Sequence, residues 1–154
     1  MKNDLEIEIK LVKKTDLPLD LLLLADPSFE QIAAYLNCGE GYVAYQSDEP
    51  VGAYVIKEKE NGVFELMNIA VKEERQQRGI GAILLQHAIE TVKNKGARKL
   101  EVGTVCFGYQ LSFYHRAGFR VMSVDKDFFV KNYCEPIYEN GIQHKDMLRL
   151  AIEF

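Results

Sequence analysis

The stretch from Glu65 to Leu85, ELMNIAVKEERQQRGIGAILL, narrows the fold more than any other. It opens as a strand, with Leu66, Ile69 and Val71 bulky and apolar and Met67 and Asn68 between them. A charged segment from Lys72 to Gln77 follows. Arg78-Gly79-Ile80-Gly81 then starts a helix carrying Ile83, Leu84, Ala88 and Ile89 on one side. The first N–H groups of a helix have no internal partner and lie at the positive end of its dipole. A strand, a donor-rich turn and two glycines at a helix start therefore have the geometry of an anion site. Alternate glycines also remove the side chains that would hold a diphosphate away from the backbone.

A two-glycine helix start is an ordinary turn when nothing surrounds it. The sharper rival is a dinucleotide-binding Rossmann unit. Glu101 falls about 20 residues after the glycines, where that fold favours an acid. Two features oppose it. Leu84 stands where the third small residue of G-x-G-x-x-G belongs, and the seven residues Lys72 to Arg78 are too many for its tight turn.

The chain's 154 residues suffice for one domain with a sizeable core and are too few for two. A net charge of -4 gives no support for binding nucleic acid or an anionic membrane. The longest apolar run, Leu21 to Ala25, is far short of a membrane span, and the N-terminus MKNDLEIEIK does not resemble a signal peptide. Cys38, Cys106 and Cys134 are scattered, odd in number and form no C-x-x-C, so a reducing cytoplasm is the expected location. His87, His115 and His144 show no ligand spacing, and no metal is expected.

Taken in order, Leu5 to Val12 alternates Leu5, Ile7, Ile9 and Leu11 with Glu6, Glu8 and Lys10, a half-exposed strand. Thr15-Asp16 offers a cap for a short helix through Leu24, with Leu17-Pro18 in its first turn. Ser28 caps a second helix, Phe29 to Leu36. Strands follow over 41–46 and 50–59, joined at Ser47-Asp48-Glu49. Asn61-Gly62 then pairs the second of them with 63–71. The glycine-opened helix ends at Gly96. Strand 98–105, helix 109–117 and strand 119–124 come next. Residues 125–143 read as an irregular excursion and 144–152 as a closing strand. This order gives an α/β (α+β) fold, a mixed, mostly antiparallel sheet with helices on both faces.

Gln76-Gln77-Arg78-Gly79-Ile80-Gly81-Ala82 fits the pattern Gln/Arg-x-x-Gly-x-Gly/Ala. With Asn68-Ile69-Ala70-Val71 before it and LSFYHRAGF downstream, it resembles the GNAT family, the GCN5-related N-acetyltransferases. The order of elements matches that family over nearly the whole chain. LLLLADPS and DFF…EPIYENGIQHKDMLRL resemble a small bacterial branch of it.

The resemblance implies an acetyl-CoA N-acyltransferase fold. Gln76, Gln77, Arg78, Gly79, Ile80, Gly81 and Ala82 would meet the pyrophosphate. The backbone of Ile69, Ala70 and Val71, on the family's splayed strand, would take the pantetheine arm and acetyl group. Arg78 could meet a phosphate, while Lys72 and Arg75 are expected in solvent. In this family the tyrosine matching Tyr114 faces the coenzyme sulfur, where a phenol can protonate a leaving thiolate. Glu65 matches a position at which some members carry the base, and Glu101 competes with it; strand glutamates otherwise mostly face solvent. His115, next to Tyr114, should point away. The chain departs from the family between Gly103 and Gln110, which lack the asparagine that many members use on the coenzyme. Cys106 has no partner base and reads as inert.

The sequence is thus expected to encode an enzyme that transfers acetyl from acetyl-CoA to a primary amine by direct attack in a ternary complex. A non-catalytic acyl-CoA-binding module and a nucleotide-binding regulatory domain are the alternatives. The amine, a small molecule or a peptide, is left open. The aromatic segment with Phe128, Phe129, Tyr133 and Tyr138 allows a homodimer.

Overall fold

A computed structural model describes residues 6–154. Leu5, assigned to the first strand from sequence, lies outside them. Strands β1 (Ile7–Val12), β2 (Glu40–Gln46), β3 (Glu49–Glu60) and β4 (Val63–Val71) form an antiparallel run. Helix α1 (Leu19–Ala25) and helix α2 (Phe29–Leu36) are inserted between the first two. Two hairpin turns close with paired left-handed residues, Ser47-Asp48 (φ 50° and 65°) and Asn61-Gly62 (φ 48° and 79°). Helix α3 (Ile80–Asn94) then crosses over, so that β5 (Lys99–Val105) lies parallel to β4. Helix α4 (Tyr109–Arg116) and strand β6 (Arg120–Asp125) follow.

The last strand, β9 (Met147–Glu153), inserts between β5 and β6. The sheet order is therefore β1-β2-β3-β4-β5-β9-β6, with β6 on one edge. Residues 125–143 are more ordered than the sequence suggested. They hold helix α5 (Phe128–Asn132) and a separate hairpin, β7 (Ile137–Glu139) with β8 (Ile142–His144). His144 belongs to β8, not to the closing strand. The α1 cap also differs. Thr15 and Asp16 lie in a 3-10 turn, and the helix starts after Pro18. Ser28 does cap α2, accepting a hydrogen bond from the Gln31 N–H at 3.2 Å.

Two cores flank the sheet. On one face α3 buries Ile80, Leu84, Leu85, Ala88, Ile89 and Val92 with Tyr54, Leu66, Leu100 and Tyr114. Tyr54 is fully buried, and its hydroxyl reaches His87 Nδ1 (2.8 Å) and Thr91 Oγ1 (3.1 Å), so its one polar atom joins α3 to the sheet. On the other face α1 and α2 bury Leu22, Ile32 and Tyr35 against Val43, Ala53 and Val55. At the edge, Leu11 lies on the α3 side with Ile7 and Ile9 and is 59% exposed. No helix among the described residues is long and apolar enough to cross a membrane.

Gly52 on β3 shows why Leu84 is tolerated where a Rossmann helix needs a small residue. A Cβ on Gly52 would lie 2.7 Å from Leu84 Cδ1 and 3.0 Å from the Ala70 carbonyl oxygen. The close approach of helix and sheet is provided by the strand's glycine. Gly52→Ala is expected to cost about 1–3 kcal/mol through overpacking against a backbone atom that cannot yield. Chemical denaturation measures it, and an unchanged midpoint would contradict the contact.

Candidate active site

Strands β4 and β5 pair from Val63–Lys99 to Leu66–Val102 and no further, although β4 runs on to Val71 and β5 to Val105. On its other side β4 stays paired with β3, but the register slips by one residue, leaving Met67 as a bulge. A bulge bends its strand and strengthens the local twist. Here it falls one residue past the last β4–β5 pair, and the strands part. Ile69, Ala70 and Val71 face Tyr54, Ala53 and Gly52 across β3. Their other backbone edge has no strand partner among the described residues, which is the splayed strand expected from sequence.

Beyond Val71 the chain passes through a 3-10 turn, Glu73–Arg75, to α3. Lys72 and Arg75 are partly exposed, as expected, but are not without partners. Both pair with Glu49, and Arg75 also donates to Gln46 Oε1, so the turn is tied to the β2–β3 hairpin. The Gln76 side-chain amide donates to the Val71 carbonyl at 3.0 Å and draws the loop back onto the strand end. Gln77 (φ 62°) and Gly79 (φ 88°) take left-handed conformations that reverse the chain into the helix. Arg78 is exposed and makes no ion pair among the described residues.

The first bond within α3 runs from the Ile83 N–H to the Gly79 carbonyl, and no side chain caps the helix. The N–H groups of Ile80, Gly81 and Ala82 thus have no helical acceptor. Gly81 is helical, with ordinary φ, and a Cβ there would find Phe113 at 3.5 Å and Val71 at 3.8 Å, normal contact distances. The protein's own packing does not require glycine at this position.

Helix α4 brings Phe113 against that helix start and buries Tyr114, edge-on to Phe113 (5.2 Å) and Phe119 (5.6 Å). Burial first, then the neighbouring Tyr109, pushes the Tyr114 phenol well above its ordinary range. His115 turns outward, its Nδ1 on the Leu111 carbonyl at 2.8 Å. The Cys106–Gly108 loop, which lacks the asparagine, is held from the C-terminal hairpin. Phe107 stacks on His144 at 4.3 Å, His144 Nε2 meets Glu139 at 2.9 Å, and the Cys106 thiol donates to the Asp146 carbonyl. Burial, with Asp146 beside it, raises the Cys106 thiol, which suits an inert residue.

Glu65 and Glu101 stand opposite each other in the β4–β5 register. Lys59, the bulged residue of β3, reaches both, at 3.5 Å from Glu65 and 2.9 Å from Glu101. Their surroundings then diverge. Glu101 takes Lys99 at 3.2 Å as well. Burial alone would raise its carboxyl, but the hydrogen bonds and charges of Lys59 and Lys99 outweigh this and hold it below the usual range. Glu65 meets Arg149 at 3.4 Å. That guanidinium also contacts Asp125 at 3.2 Å and lies 5.4 Å from the centre of the Phe128 ring.

Asn68, one residue past the bulge, was not singled out from sequence as a site side chain. It is buried, and its amide nitrogen donates to the Leu22 carbonyl (3.0 Å) and the Tyr35 hydroxyl (2.9 Å). A carbonyl can only accept, which fixes the orientation of the amide and leaves Oδ1 without a partner. Tyr35 donates in turn to Asp26 (3.3 Å), and Tyr133, beyond α5, donates to the same carboxylate (2.9 Å). The aromatic segment thus turns inward. Phe129 is buried, Tyr133 is tied to the α1–α2 turn, and among the four residues named above only Tyr138 is strongly exposed. No group of three or more potential ligand side chains among the described residues could hold a metal ion.

Comparison with known proteins agrees with this geometry. Residues 12–119 match the Acetyltransferase (GNAT) family. The chain is 45% identical over 150 residues to the protein named Uncharacterized N-acetyltransferase YvbK of Bacillus subtilis (strain 168), covering 96% of this chain and 97% of that one. This bears out the bacterial branch read from the end segments. A solved structure titled IAA acetyltransferase, from Bacillus cereus ATCC 14579, superposes with a TM-score of 0.93 at 49% identity, over 97% of this chain and 100% of the other. A GNAT family acetyltransferase from Elizabethkingia anophelis, solved with acetyl-CoA bound, gives 0.93 at 45% identity, over 96% and 98%. The chain therefore belongs to the GNAT family and is an N-acetyltransferase that uses acetyl-CoA.

Proposed function

We propose that this chain, as a single domain, passes acetyl directly from acetyl-CoA to a primary amine in a ternary complex, with Tyr114 as the acid and Glu65 as the base. The observation that carries the reading is the split after Leu66–Val102, with the open edge of Ile69–Val71 leading to an uncapped helix start. The residues suit the coenzyme. Glycine is a poorer helix former than alanine, and the packing around Gly81, in the first turn of α3, does not call for it. Close approach of a ligand to the backbone does.

In this reading the N–H groups of Ile80, Gly81 and Ala82, with Gly79 and Arg78, hold the pyrophosphate. The backbone of Ile69, Ala70 and Val71 holds the arm. Gln76 and Gln77 shape the loop. Acetyl-CoA supplies an already activated acyl group, so no metal is needed. Tyr114, kept protonated by burial, offers a proton where the thiolate leaves. Lys59 and Lys99 both hold Glu101 and depress its carboxyl, which weakens it as a base.

The exposed, unpaired Cys38, Cys106 and Cys134 agree with a cytoplasmic location. A homodimer remains part of the reading, with its contact moved away from the inward-turned aromatics.

Gly81 variants separate ligand binding from folding. Gly81→Ala should keep or raise the melting temperature while weakening CoA. Gly81→Glu, which adds a negative charge, should lower CoA affinity at least tenfold, about 1.4 kcal/mol. Calorimetry showing unchanged affinity for both would remove the pyrophosphate assignment.

Tyr114→Phe keeps the ring and removes only the proton. Its kcat should fall by roughly 10²-fold, with KM for acetyl-CoA little changed. Glu65→Gln should lose rate mainly at low pH, where free amine is scarce, and recover partly as pH rises; the tyrosine variant should show no such recovery. Free-thiol release across a panel of amines measures both. Wild-type kcat in Tyr114→Phe, with chemistry shown to limit turnover, would remove the acid.

A further inference from the structure

Strand β6 closes one edge of the sheet, with no further strand beside it among the described residues. Val121 (48% exposed), Met122 (53%) and Val124 (51%) are all on it. Unpaired strand edges recruit other strands, and proteins usually protect them with lysines, prolines or cover. The opposite edge follows that rule, since β1 carries Glu8 and Lys10, paired with each other at 3.5 Å. The β6 sequence, Arg-Val-Met-Ser-Val-Asp, has neither lysine nor proline.

That sequence is also complementary to itself. Two antiparallel copies related by a two-fold axis at Ser123, with Met122 bulged out of each strand, would set Arg120 opposite the partner's Asp125 and Val121 opposite the partner's Val124. The side-chain faces agree. Val121 and Val124 pair with Leu150 and Leu148 of β9, both on the α3 side of the sheet. Arg120 and Asp125 pair with Ala151 and Met147, on the other side, where Asp125 contacts Arg149. The valines are three positions apart, and an unbroken strand would place them on opposite faces. The bulge at Met122 restores them to one face. In such a pairing valine meets valine and arginine meets aspartate, each on a common side, and Arg120 makes no ion pair of its own among the described residues.

We propose that two copies of this chain associate through β6, in antiparallel register about Ser123, to form one continuous sheet. The contact would also place the partner's Arg120 beside Asp125, a carboxylate that holds Arg149 and through it Glu65. Six strand residues span about 20 Å, which puts the interface at the small end of specific contacts. The dimer is therefore expected to dissociate on dilution.

Sedimentation of the full chain from about 1 to about 500 µM, a range that covers micromolar dissociation constants, tests this. The weight-average mass should climb from 17.6 kDa toward twice that value. Val124→Lys should stay at one chain throughout, and Arg120→Asp should raise the dissociation constant at least tenfold. Both sites are exposed, so circular dichroism and melting should match the wild type. Hydrogen exchange at β6 should slow with concentration in the wild type only. A wild type that remains a single chain over the whole range, or a dimer indifferent to both substitutions, would overturn the proposal.

Discussion

The rest of the site depends on one extra residue in one strand. Met67 shifts the β3–β4 register, and β4–β5 pairing stops one residue before it. Ordinarily an open edge inside a sheet would close, because backbone donors and acceptors away from water need partners. Here each strand keeps its partner on the other edge. β3 keeps hold of β4 as far as Val71, while β9 keeps hold of β5 as far as Val105. Each half of the sheet satisfies its own strand, so the two halves can part without either unravelling. The gap is left lined with backbone groups whose natural partner is another amide-bearing chain.

The same residue divides the side chains between two kinds of work. Phe64, Leu66, Ile69 and Val71 all pack in the α3 core, at spacings of two, three and two. The step of three is the bulge. Without it, Ile69 and Val71 would turn toward α1, and the strand end would lose its anchorage on α3, whose start is the proposed anion site. Asn68 faces Leu22 of α1 as a result, with Tyr35 and Asp26 behind it. In the proposed reaction, coenzyme contacts on this strand come from the backbone, and amine contacts from side chains on the opposite face.

What could be read from the sequence was what short-range chemistry sets. The Asn61-Gly62 turn, the Ser28 cap and the glycine-opened helix follow from φ preferences and unpaired helix groups, and all stand where expected. The β7–β8 hairpin carried the same signal in Asn140-Gly141, at φ 53° and 77°. Its two three-residue strands were too short to show alternation beside so much Asn, Gly and Pro. Long-range partners were not legible. Lys72 and Arg75 look like solvated cations until the β2–β3 hairpin brings Glu49 to them. Likewise Glu65 and Glu101 lie far apart in sequence and become neighbours only through the parallel register, which no local pattern encodes.

The C-terminal excursion gains its meaning from that gap. Its sequence suggested cover for a partner, yet it reaches both lips of the split. Through Tyr133 it holds Asp26 in the α1–α2 turn, and through His144, Glu139 and Asp146 it holds the Cys106–Gly108 loop at the end of β5. Gly108 (φ 103°) begins α4 directly beside the Glu139 carboxylate, and α4 carries Tyr114. A loop without the usual asparagine is therefore not left slack. Its position is set from behind, by stacking and hydrogen bonds that make no demand on the face toward the gap. Replacing a direct polar contact by support from the rear keeps the helix and its tyrosine in register with the strand. It also leaves the front of the loop to backbone groups, as on β4 across the split.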